Sequence, residues 1–417
     1  MKGFVYKVCC IIIFFIIIYP LKFVFFPYAT TRVLLGIVGA PLLFKKRTFA
    51  ILLNKKYPLF QTVIIISIIS LASVLINGST DLEYVRFPLT IFFIFSSCNL
   101  AINFATRIEK VLSCERICYY IIWAVNIQMF LAVLFFLSPA FKELMLSFLT
   151  SELQPLSLDR SGDLAFRLTG FGSQYVDAGM VQSAAAVIAS FIIIRNNLKN
   201  CTFYVFSLVL IFIVGNALSR TTLIGYAVAF FYFIINAPQK NLKKVAKWTF
   251  FTTIALILIG SSALTLSEEL EQQSRFAFEI FYNYLENGSM ETDSSNSLIE
   301  SWSIMPNNFH TWVIGDGRFS GTTNDSNYMG TDSGYFRLLF YFGLIGSLFY
   351  YKFHYYLCRM ASLVTGAKAL SFMLLIVFFI LNLKVVCLYA TFFGFFIFLP
   401  RKTDSFEVIQ KKDNNCK

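Results

Sequence analysis

The chain alternates long apolar runs with short polar breaks, and one polar interval, 267–334, is far longer than the others. Apolar windows of roughly 17 to 22 residues fall near 8–26, 58–77, 87–104, 116–137, 176–194, 247–266 and 335–353, each long enough for a helix to cross about 30 Å of hydrocarbon. The run 32–44 is shorter and contains Gly36, Gly39 and Pro41, which predicts a short helix or a re-entrant segment. Residues 201–237 split at Gly215-Asn216-Ala217-Leu218-Ser219-Arg220, and residues 368–399 split at Asn382-Leu383-Lys384, each giving two spans. Because a bilayer offers no water to exposed backbone amides, the spans must be helical. The pattern therefore predicts an all-α polytopic membrane protein, a single integral membrane domain over 1–417 with about 12 transmembrane helices.

Composition agrees, since 57% hydrophobic against 14% charged residues cannot be distributed over a soluble globule, and the mean hydropathy is +0.68. Lys and Arg then orient the spans, because cytoplasmic loops are enriched in them. With both termini cytoplasmic, the inner loops hold Lys45-Lys46-Arg47, Lys55-Lys56, Arg107, Lys110, Arg116, Arg195, Lys199, Lys240, Lys243, Lys244, Lys352, Arg359 and Lys368, and a cytoplasmic tail covers 400–417. The net charge of +12 is thus a topology signal and gives no reason to expect a nucleic-acid partner. Two long loops, 138–175 and 267–334, fall on the outer face, and the second carries eleven Asp or Glu against Arg275 and Arg318. All nine cysteines lie in spans or on the inner side, so no external disulfide is expected. The basic start and apolar run of 2–27 lack a clear cleavage site and read as an uncleaved first span.

Within the second long loop, Ala277, Ile280, Phe281 and Tyr284 recur at helical spacing after an acidic start, predicting an amphipathic helix on the membrane surface that ends at Asn287-Gly288. A second short helix runs through Trp302. The two histidines, His310 outside and His354 inside, have no cysteine beside them, so no metal site is expected. Neither an Asp-x-Asp pair nor a Gly-x-x-x-x-Gly-Lys loop is present, so no nucleotide cofactor is expected. What remains at the outer boundary is a set of carboxylates and arginines: Asp177, Asp316 and Asp332 with Arg160, Arg167, Arg220, Arg318 and Arg337. The guanidinium fork binds phosphate oxygens bidentately, and a charge near hydrocarbon is costly without a partner, so converging arginines point to an anionic ligand. Arg220, in a small polar island between two spans, either snorkels to the interface or clamps a pyrophosphate. Asp332 either caps the helix entering at Tyr335 or acts as a base. For Asp177 a helix cap or an ion pair with Arg167 is the default, His310 suits loop packing or sugar stacking, and Lys384 marks an outer turn that could meet phosphate or headgroup.

Three local patterns resemble the bacterial O-antigen polymerases of the Wzy type and the related O-antigen ligases. Arg167-Leu168-Thr169-Gly170-Phe171-Gly172 with Asp177 is similar to the Arg-x-x-Gly stretch closing the first long outer loop of that superfamily. Leu218-Ser219-Arg220-Thr221-Thr222 resembles its Ser-Arg turn. Ile314-Gly315-Asp316-Gly317, then Asp332-Ser333-Gly334-Tyr335 and Gly343-Leu344-Ile345-Gly346, resemble the glycine-rich series closing the second loop. The resemblance spans roughly Arg160 to Leu399. Asp332 stands where ligases carry a His, which favours polymerase over ligase, while the Arg-x10-Gly pattern of the polymerases is not clean, since Arg160 reaches Phe171 at that spacing.

The resemblance implies a metal-independent glycosyltransferase in the bacterial inner membrane, joining a glycan on undecaprenyl pyrophosphate to an acceptor repeat unit on the same carrier. Asp332 would be the base, and Arg167, Arg220, Arg318 and Arg337 would hold the leaving pyrophosphate. Membrane lipids and a polysaccharide chain-length regulator are the further partners it implies. A ligase acting on lipid A core, or a flippase moving the lipid-linked oligosaccharide, are the alternatives. The near absence of charge inside the spans disfavours a flippase, and an acyltransferase would want a better-placed base than His310.

Overall fold

The computed structural model describes residues 2–109, 112–150, 168–172, 175–196, 201–236, 268–289, 291–321 and 327–400. The expected span at 247–266, together with Arg160 and Arg167, lies outside them. The described residues are helical, with only isolated β-bridges such as Phe23 to Leu149. The helices are α1 (Lys2–Ile18), α2 (Thr31–Leu43), α3 (Lys46–Leu52), α4 (Leu59–Ile76), α5 (Phe87–Ile108), α6 (Cys114–Leu137), α7 (Pro139–Ser147) and α8 (Tyr175–Arg195). They continue with α9 (Thr202–Leu218), which holds a π turn at Ile211–Gly215, and α10 (Thr222–Asn236). The second long loop holds α11 (Glu268–Ala277), α12 (Glu279–Asn287), α13 (Asp293–Ser303) and α14 (Phe309–Val313), followed by α15 (Gly334–Thr365), α16 (Lys368–Leu381) and α17 (Ala390–Ile397).

Four of these, α4, α5, α6 and α8, are long and apolar enough to cross a membrane. The surface of α4 fits that medium. In α4 the exposed face is Ile64, Ile68, Leu71 and Leu75, one stripe at helical spacing, while Thr62, Ser70 and Ser73 point inward and are buried. A soluble helix has the opposite arrangement. Helix α2 is about 20 Å long at 1.5 Å per residue, too short to span alone. Glycines press it on α5: a Cβ at Gly39 would lie 2.4 Å from the Ser96 carbonyl oxygen, and the Ser96 hydroxyl donates to the Gly36 carbonyl at 2.5 Å.

The first helix is shorter than its apolar run because Tyr19 precedes Pro20, and a residue before proline is pushed out of helical geometry. Its last carbonyls are taken up from the next helix. The Thr31 hydroxyl donates to the Ile16 carbonyl at 2.8 Å, while Arg32 donates from Nε to Ile17 at 2.8 Å and from Nη2 to Ile18 at 3.2 Å.

Helix α15 is broken inside by Phe342 (φ −135°, ψ 21°) and Gly343 (φ 67°, ψ −171°), the latter in a region open only to glycine. The turn after α14 docks into this break. Asp316 N–H donates to the Phe340 carbonyl at 2.5 Å and Gly317 N–H to the Tyr341 carbonyl at 3.0 Å. The Ser73 hydroxyl of α4 also reaches the Tyr341 carbonyl, at 2.8 Å. A Cβ on Gly343 would sit 2.1 Å from the Val313 carbonyl oxygen, and one on Gly315 2.6 Å from Phe342 N.

Contacts sort the described loops into two ends. At one, Arg47 reaches the Leu399 carbonyl at 3.5 Å, Tyr57 meets Tyr356, Arg195 pairs with Glu115 at 2.8 Å, and Arg116 pairs with Glu109 at 2.6 Å. At the other, residues 22–24 meet 148–150, Leu168 N–H donates to Ala217, Asn77 donates to Gly315, and Trp302 donates to Leu383. The amphipathic segment of the second long loop is interrupted at Phe278, and α12 ends at Gly288 in the left-handed region (φ 66°).

Replacing Gly343 by alanine combines forbidden backbone with a main-chain clash. We expect Gly343→Ala to cost at least about 3 kcal/mol in detergent-solubilised thermal or denaturant unfolding. Gly366→Ala, also at positive φ (69°) but with open space around its Cβ, should cost only about 1 kcal/mol. Equal losses would show that the docked turn adds nothing to the break.

Candidate functional site

The glycine turn docked into α15 brings a short loop, 77–86, against the second long loop. Asn77 donates to the Gly315 carbonyl at 2.9 Å, and the Asp81 carboxylate accepts from the N–H groups of Phe319 at 2.8 Å and Ser320 at 3.2 Å. Tyr341 of α15 donates to the Asp81 carbonyl at 2.8 Å. Tyr84 packs its ring against Phe319, Tyr341 and Phe342. Charge-assisted bonds of this kind are short and strong, so Asp81 fixes where Phe319 lies.

Phe319 in turn receives Arg337 from the first turn of α15. The guanidinium centre lies 3.8 Å from the ring centroid, Nη2 donates to the Phe319 carbonyl at 3.5 Å, and Nε is buried without a hydrogen-bond partner. Asp332, Glu83 and Asp81 are its acidic neighbours within electrostatic reach, though among the described residues none makes an ion-pair contact with it. Glu83 has a solvent-open surface, yet the protein mass around its carboxylate first, and Asp81 second, push it above the usual carboxylate range, opposed by Arg86 and Arg337. Asp332 is exposed; its carboxylate accepts from the Asn327 amide at 2.6 Å and its N–H donates to the Ser301 hydroxyl at 3.3 Å. The residue at the N-cap of α15 is Ser333, which makes no capping bond, so Asp332 does not cap this helix. Gly334 matters as a close approach: a Cβ there would lie 2.4 Å from the Val385 carbonyl oxygen, which brings the turn carrying Lys384 to the same mouth.

The remaining predicted residues divide differently. Asp316 is tied into its turn, accepting from the Thr311 hydroxyl at 2.6 Å and from Tyr328 at 3.3 Å, with exposed Arg318 two residues on. His310 is exposed on α14, whose first turn is capped by Asn308. Asp177 lies in the first turn of α8 with Arg32 as its basic neighbour, and Arg167, its expected partner, lies outside the described residues. Arg220 is held elsewhere, paired with Glu279 and donating from Nε to the Phe276 carbonyl at 2.8 Å.

The structure thus gathers Asp332, Arg337 and the turn of Lys384, and adds Asp81 and Glu83, which the sequence reading did not select. The available signal was three charged residues in six, Asp81-Leu82-Glu83-Tyr84-Val85-Arg86, between two spans on the acidic end. An exposed carboxylate beside an incompletely paired guanidinium can accept a proton and steady a departing anion. Among the described residues no group of three or more His, Cys, Asp or Glu is placed to hold a metal ion. No protein-family model matches the chain, and no curated protein or solved structure matches it either.

If Asp81 fixes the Phe319 platform, Asp81→Ala should cost about 1–3 kcal/mol by leaving two N–H groups unmet. Amide hydrogen exchange at Phe319 and Ser320 should accelerate while exchange in α6 stays unchanged. Unaltered exchange at those two amides would refute the role.

Proposed function

We propose that this chain is a multi-pass bacterial inner-membrane glycosyltransferase that polymerises undecaprenyl-pyrophosphate-linked oligosaccharide units at the periplasmic face, in the manner of an O-antigen polymerase. The observation that carries the reading is the exposed Asp332 carboxylate within electrostatic reach of Arg337, whose Nε has no hydrogen-bond partner, at the start of α15. The charge distribution supports the orientation: Lys45, Lys46, Arg47, Arg116, Arg195 and Arg359 belong to one end, while Asp81, Glu83, Glu279 and Asp332 belong to the other. About twelve spans with both termini cytoplasmic complete that scheme.

In the proposed reaction an acceptor sugar hydroxyl attacks the anomeric carbon of the donor glycan. Its proton passes to the Asp332 carboxylate, the bond from the anomeric carbon to the pyrophosphate oxygen breaks, and the carrier pyrophosphate departs with the electron pair. Arg337 stabilises the charge developing on that oxygen, with Arg318 and Lys384 at the rim. General base catalysis contributes about 10²–10⁴-fold, and one preorganised donor to a developing anion about 10²–10³-fold. A polysaccharide chain-length regulator is the partner this activity would call for.

The direct test is the surface glycan ladder on a gel in a strain lacking the gene, complemented at matched membrane levels. Asp332→Asn and Arg337→Gln should each collapse the ladder to cores bearing one repeat unit, a loss of roughly 10²-fold or more in polymerisation. Full ladders from Asp332→Asn would remove the base assignment. Loss of every repeat unit, with units accumulating on the carrier, would point to ligase or flippase.

Orientation has its own test. A cysteine placed at exposed Asn307 should react with a membrane-impermeant maleimide added outside spheroplasts, whereas one at Lys55 should react only after permeabilisation. The reverse pattern would invert the topology and abolish a periplasmic site.

A further inference from the structure

The pair formed by Arg220 and Glu279 joins a break between two apolar helices to the outer loop. Arg220 sits between α9 and α10, just before Thr222 begins α10, and Glu279 is the first residue of α12. The Glu279 carboxylate pairs with Arg220 Nη1, Arg220 Nε donates to the Phe276 carbonyl at 2.8 Å, and the guanidinium centre lies 4.1 Å from the Phe276 ring centroid. Both side chains are largely shielded, with 14% and 18% of their surfaces exposed. Phe278 adds a ring contact to Phe212 of α9, and Phe276 and Ala277 are buried against the break. The two loop helices are therefore fastened to the break by one ion pair and by the apolar contacts of Phe276, Ala277 and Phe278 around it.

A shielded guanidinium at the start of a helix, where the backbone dipole also favours negative charge, is a site for an anion. Here the anion comes from the chain itself. A tethered carboxylate has a high local concentration and weakens any external competitor, yet it carries one charge and two oxygens, whereas a pyrophosphate ester carries more of both. We infer that Glu279 is the resting occupant of a pyrophosphate-binding site at Arg220, and that α11 and α12 form a lid released when a pyrophosphate group displaces it. This rests on the proposed glycosyl-transfer reading and adds to it a gate: the loop opens only for carriers bearing the charged headgroup.

The test uses the full chain in phosphatidylcholine nanodiscs, so that no anionic lipid competes. Binding of inorganic pyrophosphate and of farnesyl pyrophosphate is measured by calorimetry, and hydrogen exchange is followed across 268–287. Glu279→Gln should bind both probes about tenfold more tightly than wild type, with the loop helices already exchanging fast; in wild type either probe should accelerate that exchange. Arg220→Gln should lose the binding that Glu279→Gln strengthens, leaving at most the weaker contact at Arg337. The exchanged pair, Arg220→Glu with Glu279→Arg, should keep the helices protected and lose the response to pyrophosphate, which separates gating from misfolding. If binding is lost in Arg220→Gln but not strengthened in Glu279→Gln, the gate is wrong and the anion site stands. If wild type and Glu279→Gln bind neither probe, both the gate and a pyrophosphate role for Arg220 fall. Tighter binding of farnesyl pyrophosphate alone would assign the site to the lipid-linked form, and equal gains for both probes to the headgroup.

Discussion

The end of the molecule that carries the second long loop depends on one interrupted helix. Backbone carbonyls near a membrane cannot be left without donors, and α15 breaks at Phe342 and Gly343. The carbonyls just before the break are taken by the N–H groups of Asp316 and Gly317, with the Ser73 hydroxyl sharing the second. That arrangement fixes three parts of the chain against one another: α4, the glycine turn and the outer segment of α15. The residues of greatest chemical interest, Asp332 and Arg337, stand on or just before that outer segment, so their positions are consequences of how the break is filled.

Two arginines illustrate what partnership does to a charge near hydrocarbon. Arg220 meets a carboxylate, a carbonyl and an aromatic face. Arg337 has an aromatic face and a long bond to one carbonyl, with acids nearby but not in contact. Removing one member of a shielded pair leaves an uncompensated charge, so an engaged arginine resists change. An incompletely engaged one retains capacity for a further anion, which is why Arg337 anchors the functional proposal and Arg220 the regulatory one.

Much of this was legible in the sequence, and the failures have physical reasons. Apolar runs located α4, α5, α6 and α8 because each window was close to the thickness of a bilayer core. The first helix ended earlier than its run, since Pro20 overrides hydrophobicity. The pattern Gly315-Asp316-Gly317 was visible as a motif, but its docking into a helix beginning at Gly334 was not, because contact across that distance leaves no local trace. Asp332 had the residue type of a helix cap, yet Ser333 holds the cap position. Arg220 was recognisable as a charge needing an anion, while its partner Glu279 stood far along the chain among several equivalent acids. Asp81 and Glu83 carry little signal in the sequence, because a short loop has few residues to form a pattern beside a long one.

The Asp81 carboxylate, bonded to the backbone of Phe319 and Ser320 from a loop more than two hundred residues earlier, makes the second long loop something other than a detachable module. A chimaera that received this loop from another chain would inherit the sequence of the platform without the clasp that holds it. Exchange of the short loop 77–86 together with the long one is the smallest unit of transfer that keeps the clasp, and drift at position 81 is constrained by main-chain groups that mutation of the partner segment cannot alter.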